Sequence, residues 1–306
     1  MNKLAASLLM SLITITASVH VAHAEDKGVK PIKEVFEPKG DFSIEKFVKV
    51  AAVAANPTQN SPVPATKEEA EEVKQQNRED LEGRIREAAA AGAEIILTPE
   101  FGVVGYPDIP ELPSEEDEYR NKDDIRPYVE KEKGTSFKFF SALAKELKVY
   151  LHYGLVIEDA KDKNYYNAVQ VINPKGELVL TYYKMELFEL ENEFLSAGSV
   201  AMSYDSPAGK IGIIVCADVY SSTPLNQYRR MGIDALALST SWARFNSGML
   251  QFKSTAQELG VYLIAANQMY FPDTGVINPN GTLQSHIRQT EGIAYGFLPR
   301  KNKNKK

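Results

Sequence analysis

Cys216 is the residue whose type and position could supply a nucleophile. It is the only cysteine of the chain, and it directly follows the apolar, largely β-branched run 211–215. A run with so little alternation is typical of a strand that is covered on both faces. Hydroxyl side chains at 221–223 and Pro224, expected at the first helical position, then predict a helix that ends at Gly232. The alternative is that Cys216 is a small buried core residue, as free cysteines commonly are.

Two charged residues occupy positions comparable to that of Cys216. Glu100 and Lys184 each follow a predicted strand and precede a loop. Polar groups at strand ends commonly gather into one site. The three together could carry out acyl transfer, because a thiol is only slightly ionised at neutral pH and needs a base or a cation beside it. Glu100 would take the proton and Lys184 would stabilise the developing oxyanion. Taken singly, each charged residue is more often a solvated surface group.

The hydrophobic pattern predicts the elements that must position these residues. Strands are predicted at 47–54, 93–98, 150–157, 167–173, 178–183, 234–239 and 261–266, and helices at 68–91, 136–148 and 248–259. The segment 173–176, Asn-Pro-Lys-Gly, joins two of these strands as a hairpin. The first strand, helix and second strand form the parallel unit that needs a crossover connection. This alternation predicts an α/β domain with helices outside its sheets.

Length and charge limit the possible partners. The chain has 306 residues, 43% of them hydrophobic, which allows one large domain. Its formal net charge is -6, and the only basic run is the tail 299–306, which we expect to be a solvated end. Nucleic acid is therefore not an expected partner.

The amino-terminal residues 1–24 have the features of a signal peptide. An apolar run ends at 22–24, Ala-His-Ala, which is a small-residue cleavage pattern. The run is too short, and too interrupted by Ser and Thr, to favour a transmembrane helix, so no membrane anchor is expected. We therefore expect an exported protein, periplasmic or secreted, in which 25–46 is a linker or a surface strap. The acidic stretch 107–134 is expected to be an irregular loop, either a lid or a solvated excursion.

Three sequence blocks carry a resemblance to a known family. Thr98-Pro-Glu100-Phe-Gly, Tyr182-Tyr-Lys184 and Val215-Cys216-Ala-Asp218 match, in order and spacing, the blocks of the nitrilase, or carbon–nitrogen hydrolase, superfamily. The resemblance extends over 47–298. It implies a four-layer αββα sandwich, often paired across its sheets, so a homo-oligomer is possible.

The resemblance also implies a role for each matching residue. Cys216 matches the nucleophile and Glu100 the general base that later acts as an acid. Lys184 matches the residue that stabilises the tetrahedral intermediate together with the Ala217 backbone N–H, and Glu191 matches a second glutamate that orients this set. The alternative for Glu191 is a plain helix or loop carboxylate, because several other glutamates crowd the same stretch.

Within the superfamily the chain resembles the vanin and biotinidase branch, whose members are amidases for pantetheine and biotinyl amides. The resembling residues are the glycine-punctuated segment 99–106, which ends at Tyr106, and the run 184–194. Position 101 is Phe where this branch usually has Asp. Tyr106 and Trp242 are candidate substrate-binding residues. Trp242 could line the acyl pocket, although an aromatic side chain after a strand is as often part of the core.

The expected function is hydrolysis of a small linear amide, of pantetheine or biotinyl type, through a thioester on Cys216. An aliphatic amidase or a nitrilase is the alternative, and a non-catalytic exported binding protein of the same fold is a further one. Neither metal nor other cofactor is expected, because one Cys and two His in the mature chain show no ligand spacing. Two other enzyme classes are not favoured. A papain-like enzyme would need a histidine base, but His152 lies in an apolar strand, where a structural histidine is expected. Membrane N-acyl transfer would require transmembrane helices, which are not expected here.

Overall fold

The computed structural model describes residues 43–57, 61–108, 119–242, 248–268, 272–288 and 290–301, together with the backbone of Ile32–Val35. The expected signal peptide 1–24, most of the expected linker and tail, and residues 109–118 of the acidic stretch lie outside the described residues. Export and cleavage therefore stay predictions.

The described residues form two large sheets, one two-stranded sheet and several helices. The strands are β1 (Ile32–Val35), β2 (Phe47–Ala54), β3 (Ser61–Pro62), β4 (Ile95–Leu97), β5 (Pro107–Asp108), β6 (Glu130–Lys131), β7 (Tyr150–Glu158), β8 (Tyr165–Ile172), β9 (Leu178–Tyr183), β10 (Ser203–Ser206), β11 (Gly209–Val215), β12 (Ala235–Thr240), β13 (Tyr262–Asn267), β14 (Pro272–Ile277), β15 (Leu283–Arg288) and β16 (Gly292–Pro299). The helices are α1 (Lys67–Ala90), α2 (Lys122–Ile125), α3 (Thr135–Leu147), α4 (Glu191–Phe194), α5 (Ser222–Met231) and α6 (Gly248–Leu259).

Each large sheet combines parallel and antiparallel strands. In the first sheet the spatial order is β16-β2-β4-β7-β8-β9, with β6 paired to β7, and β2, β4 and β7 run parallel. In the second sheet the order is β1-β15-β14-β13-β12-β11-β10, with β11, β12 and β13 parallel. The two parallel groups supply strands whose carboxyl ends can carry a site.

Alternating residues of the central strands show how the layers stack. Val48 and Val50 of β2 pack with Ile211 and Ile213 of β11 in a core between the two sheets. The next β2 residue, Ala51, packs instead in a cluster with residues of α1 and α3. On the opposite side, alternate residues of β11 and β12 pack with residues of α5 and α6. This arrangement is the predicted four-layer αββα sandwich, and it explains why the central strands are apolar on both faces.

Helix α1 begins where its capping residues place it. Thr66 accepts a hydrogen bond from Glu69 N, and the Glu69 carboxylate accepts one from Thr66 N, which together form a capping box. The helix runs from Lys67 to Ala90, so the expected helix at 68–91 is shifted by one residue at each end. Val73, Leu81 and other apolar side chains of this helix are buried against the first sheet.

The chain after Cys216 differs from the expected strand, corner and helix. A 3-10 helix, Cys216–Tyr220, follows β11, and α5 begins only at Ser222. Pro224 is therefore the third residue of α5 rather than its first, and the side chain of Ser221, at the cap position, makes no capping bond. The reason is the Asp218 carboxylate, which accepts a hydrogen bond from Val215 N and folds the chain back on the strand end.

Two segments expected to be irregular contain short elements. The expected linker includes β1, which pairs antiparallel with β15 at one edge of the second sheet. The expected loop 107–134 includes α2, a 3-10 turn at Arg126–Tyr128, and β6. Among the described helices none is both long and apolar enough to cross a membrane.

Candidate active site

Three strand ends bring the expected catalytic residues to one place. Glu100 follows β4 and Lys184 follows β9, both in the first sheet, whereas Cys216 follows β11 in the second. Glu100 and Lys184 are each 1% exposed, and the residue Cys216 is half-buried. The site therefore lies where the two sheets meet, and it depends on their packing as well as on each strand.

The Lys184 ammonium lies between two carboxylates. Its Nζ atom donates to Glu100 Oε1 at 2.9 Å and to Glu191 Oε2 at 2.7 Å. Glu191 opens the short helix α4 and also accepts a hydrogen bond from Phe188 N at 2.7 Å. A lysine this deeply buried is stable in its charged form only when it is paired, and here it is paired twice.

Hydrogen bonds hold both carboxylate oxygens of Glu100 and its backbone carbonyl. Its Oε2 atom accepts a hydrogen bond from the Ser241 backbone N–H at 2.9 Å, directly after β12. Its Oε1 atom accepts, in addition to the Lys184 bond, one from Asn167 Nδ2 at 2.7 Å. Its backbone carbonyl accepts from Gln268 Nε2 at 3.1 Å. These contacts fix the orientation of the carboxylate relative to both sheets.

Asn167 is a site residue that sequence reasoning did not identify. It lies in β8 with 1% exposure, and its Nδ2 atom donates both to Glu100 Oε1 and to Glu191 Oε1, the latter at 3.0 Å. Its backbone carbonyl accepts from Lys184 N at 2.9 Å. The only sequence feature that points to Asn167 is its position within an apolar strand, because a buried amide there needs hydrogen-bond partners.

The protonation states of the buried charges follow from their surroundings. Burial raises the pKa of Glu100 above its usual value, and the Glu191 charge raises it further, whereas Lys184 and Asn167 lower it. Burial acts to lower the pKa of Lys184, but the Glu100 and Glu191 carboxylates outweigh this and hold it well above its usual value. Lys184 is therefore an ammonium at neutral pH.

Cys216 sits in a strained backbone conformation. Its φ angle is +43°, in the left-handed region that side-chain-bearing residues rarely adopt. Burial, followed by the Glu100 charge, raises the pKa of its thiol to about 12, and Lys184 partly offsets this. The thiol is therefore protonated at rest and needs a base. Ala217, 1% exposed, is the second residue of the 3-10 helix, whose first N–H groups have no intrahelical acceptor.

The Asp218 carboxylate joins the segments that carry Cys216 and Lys184. Asp218 is fully buried, and burial raises its pKa to about 6. Its oxygens accept hydrogen bonds from Val215 N (2.9 Å) on one segment and from Tyr182 Oη (2.7 Å), Met185 N (3.0 Å) and Glu186 N (2.7 Å) on the other. Asp218, the Asp of the third sequence block, thus links the two sheets through hydrogen bonds.

The two aromatic candidates occupy different positions. The Tyr106 ring packs edge-on against Phe101 at 5.1 Å, and burial together with the charges of the site raises its pKa well above the usual value, so its hydroxyl stays protonated. Trp242 is 8% exposed and lies between Tyr220 and Phe252, at ring distances of 5.5 and 5.6 Å. The structure places Trp242 in the core beneath α6, and a pocket role for it stays a prediction.

Neither histidine of the described residues is paired with the thiol. His152 Nε2 contacts Tyr204 Oη at 2.8 Å, and burial lowers the pKa of His152 to about 3. His286 Nε2 contacts Asp273 Oδ1 at 2.7 Å. The groups whose charges act on Cys216 are instead Glu100, Lys184 and Glu191, a set that suits a thiol with a carboxylate base.

Comparisons with known proteins agree with this geometry. The sequence matches the carbon-nitrogen hydrolase family model over residues 49–302. Omega-amidase NIT2 of Homo sapiens is 27% identical over 242 residues, covering 70% of this chain and 79% of that protein. Pantetheinase of Mus musculus is 27% identical over 238 residues, covering 67% of this chain and 44% of that protein. The chain thus spans less than half the length of this second relative.

A solved structure supports the fold independently. Nit3 of Saccharomyces cerevisiae, a member of branch 10 of the nitrilase superfamily, superposes with a TM-score of 0.69 at 21% identity, covering 83% of this chain and 90% of that one. The predicted likeness to the superfamily is confirmed, and relatives of the vanin type are among the matches. The chain therefore belongs to the carbon–nitrogen hydrolase family and is a hydrolase of carbon–nitrogen bonds other than peptide bonds.

Proposed function

We propose that this hydrolase cleaves a small linear amide through a covalent thioester on Cys216. The observation that carries the proposal is the buried Lys184 ammonium, which binds both Glu100 and Glu191 beside a strained thiol. The set contains a nucleophile, a proton acceptor and a fixed cation, which are the parts that acyl transfer requires.

The first half of the reaction forms the thioester. Glu100 takes the thiol proton as the Cys216 sulfur attacks the amide carbonyl carbon. Two of the three Lys184 N–H bonds are directed at carboxylates, so the third donates to the developing oxyanion together with the Ala217 N–H. Glu100 then returns the proton to the amide nitrogen, the C–N bond breaks, and the amine leaves.

The second half of the reaction releases the acid. Water attacks the thioester carbonyl carbon while Glu100 accepts a proton from it, and the same cation and N–H stabilise the second tetrahedral intermediate. The C–S bond breaks, the carboxylic acid leaves, and the sulfur regains a proton from Glu100. Glu191 takes no proton in this scheme and holds Lys184 in place through its 2.7 Å contact.

For the substrate, we propose pantetheine-type secondary amides ahead of simple primary amides. The support is the run 184–194 and the pantetheinase relative. The omega-amidase relative is equally identical, which makes a primary ω-amide the second candidate. A pocket that hydrogen-bonds a substrate hydroxyl would reject analogues lacking it by ~10⁴-fold, whereas an apolar pocket separates acyl chains by only ~10- to 200-fold per methylene.

A release assay tests both the chemistry and the substrate class. The purified protein is mixed with pantetheine-type, biotinyl, aliphatic and ω-amides and with nitriles, and free amine or ammonia is quantified together with the acid. Acid quenching should add the acyl mass to the peptide that contains Cys216, and hydroxylamine should divert product to a hydroxamate. Cys216→Ala should abolish turnover, and activity retained in that variant would refute the thiol mechanism. Turnover confined to primary amides would refute the proposed pantetheine-type substrate, but it would not contradict the thioester mechanism.

A further inference from the structure

The two oxygens of the Glu100 carboxylate have unequal surroundings. A carboxylate oxygen can accept about two hydrogen bonds in its plane. Oε1 already accepts two, from Lys184 Nζ at 2.9 Å and from Asn167 Nδ2 at 2.7 Å. Oε2 accepts one from the Ser241 backbone N–H at 2.9 Å. The acceptor capacity that remains for a transferred proton is therefore on Oε2.

The Asn167 amide donates from its nitrogen to two carboxylates, and its Oδ1 atom has no hydrogen-bond partner among the described residues. Its nitrogen carries two hydrogens, and both are directed at carboxylate oxygens, Oε1 of Glu100 and Oε1 of Glu191. A proton on an oxygen occupies one of its two in-plane acceptor positions. Oε1 of Glu100 already accepts two hydrogen bonds, so protonation there would leave one of the two donors without its acceptor, which costs about 1–3 kcal/mol. Asn167 and Lys184 together thus disfavour a proton on Oε1 of Glu100.

We propose that Asn167 is a positioning residue that fills Oε1 of Glu100, so that the proton taken from Cys216 is carried on Oε2. The inference rests on the proposed function, since it assigns the atom that shuttles the proton in that mechanism. In each half-reaction the proton moves from sulfur or water to Oε2 and then to the leaving amine or to sulfur, so the same atom serves both steps. A single proton-carrying oxygen keeps the shuttle aligned with the reacting groups.

The consequence for pH follows from the groups around Glu100. Lys184 contacts this carboxylate and Glu191 contacts Lys184, while Tyr106 and Cys216, both neutral at pH 7, are the other titratable groups of the site. Of these neighbours, Lys184 favours the ionised carboxylate and Glu191 opposes it. Asn167 adds to the Lys184 effect, because a hydrogen bond to the charged form lowers the pKa of Glu100. Removing the amide raises that pKa, so that Glu100 becomes protonated, and stops acting as a base, at a higher pH.

The test compares Asn167→Leu with Gln170→Leu. Gln170 lies in the same strand, is fully buried, and bonds with Tyr153, Glu132 and Thr181 rather than with the site. In Asn167→Leu the acid limb of the kcat/KM profile should move upward by ~1 pH unit, and kcat should fall on the order of 10- to 100-fold, the range seen when an orienting partner is removed. Gln170→Leu should lower stability and leave the acid limb in place.

A second measurement does not depend on turnover. An infrared titration follows the C=O band of a protonated carboxyl group, with the Glu100→Gln protein subtracted to assign it. In Asn167→Leu this band should appear at a higher pH than in the unmodified protein. An unmoved band and an unmoved limb overturn the role of Asn167 while leaving the thiol mechanism intact. A shifted band in a protein that turns over no amide or nitrile overturns the proposed function while leaving the role of Asn167 standing.

Discussion

At the scale of single residues, the site must generate a nucleophile from a thiol that resists ionisation. Burial and the neighbouring Glu100 charge raise the pKa of Cys216 to about 12, so almost no thiolate exists at neutral pH. Lys184 favours the thiolate, but its charge is largely shared between two carboxylates. The nucleophile therefore forms during attack, as Glu100 takes the proton, and base and sulfur work as one unit.

This balance predicts opposite effects for two substitutions near the thiol. Glu100→Gln removes a negative charge, which lowers the pKa of Cys216, so the alkylation rate by iodoacetamide should rise at a lower pH. Lys184→Met removes a positive charge, which raises that pKa further, so the alkylation rate at a fixed, mildly alkaline pH should fall. Changes in rate of ~10- to 10³-fold are expected at that pH, because a neighbouring charge moves a pKa by ~1–3 units. The exposed Glu193→Gln serves as the control and should leave the profile unchanged. Shifts of the same sign in both variants would contradict this account.

Glu100, Lys184 and Cys216 could be predicted from the sequence, because each has a reactive type and follows a recognisable strand. Glu191 could be identified only through the family resemblance, since several glutamates share its stretch. Asn167 could not be found, because it is 67 positions from Glu100 and 24 from Glu191. Only the packing of the strands shows that one amide serves both carboxylates.

At the scale of elements, the ends of strands carry the site, and the turns that follow them are strained. Phe101, directly after Glu100, has a φ angle of +49°, and Cys216 has one of +43°. Such conformations persist only where surrounding contacts hold them. At Cys216 these contacts come from Asp218, whose carboxylate binds the N–H of Val215. The Val215 bond is local, whereas Met185 N and Glu186 N bind the same carboxylate from 33 and 32 positions away, so the strand end at Cys216 is held by both local and tertiary contacts.

The hydrophobic pattern predicted the long elements well and the short ones poorly. Strand β9 and helix α6 have the predicted bounds, because their patterns are strong and turn signals flank them. Strand β10, Ser203–Ser206, carries no apolar alternation, and its extended form comes from pairing with β11. The 3-10 helix Cys216–Tyr220 was missed for a related reason, because the side chain of Asp218 decides it.

Gly154 provides a prediction at this scale, because it leaves room for the turn that holds Glu100. A Cβ atom at Gly154 of β7 would lie 2.7 Å from Pro99 O, 3.0 Å from Phe101 N and 3.1 Å from Glu100 Cα, all of them backbone atoms. Gly154→Ala must therefore displace the Glu100 backbone. Misplacement of the base by about 1 Å should lower kcat by on the order of 10²-fold.

The matched control is Gly83→Ala in α1. A Cβ atom there meets nothing within 4 Å, and Gly83 is exposed on a helix. This change should raise the free energy of unfolding by about 0.5–1 kcal/mol and leave kcat unchanged. Denaturant titrations and steady-state kinetics on both variants separate the two effects. Unchanged kcat in Gly154→Ala would show that the turn does not control the position of Glu100.

At the scale of the whole molecule, the site depends on two sheets that face each other across an apolar core. Polar contacts join the sheets at a few points, among them Ser239 Oγ to the Thr98 carbonyl at 2.9 Å and Tyr182 Oη to Asp218 at 2.7 Å. His152 of β7 and Tyr204 of β10 make a further contact at 2.8 Å between the sheets. The residue pattern predicted an α/β domain with helices outside its sheets, and the family resemblance implied the four layers, whereas these joining contacts require the folded structure.

His152 links this inter-sheet core to the stability of the whole protein as the pH changes. It is fully buried, and burial lowers its pKa to about 3, well below the value of about 6.5 in an unfolded chain. Between these two values the unfolded chain binds a proton that the folded protein does not. Stability is therefore present above about pH 6.5 and is lost as the pH falls toward 3. Asp218 acts in the opposite direction, because burial raises its pKa to about 6.

A comparison of two variants isolates the histidine from every other titrating group. Tyr204→Phe removes the inter-sheet hydrogen bond and keeps His152, whereas Tyr204→Phe combined with His152→Leu removes the titration as well. Between about pH 7 and pH 5 the single variant should lose about 2 kcal/mol more of its free energy of unfolding than the double variant, at 1.36 kcal/mol per pH unit below the unfolded pKa. Urea titrations at both pH values measure this difference. Equal losses would contradict this account, because they would mean that His152 takes up a proton in the folded protein and that water reaches it between the sheets.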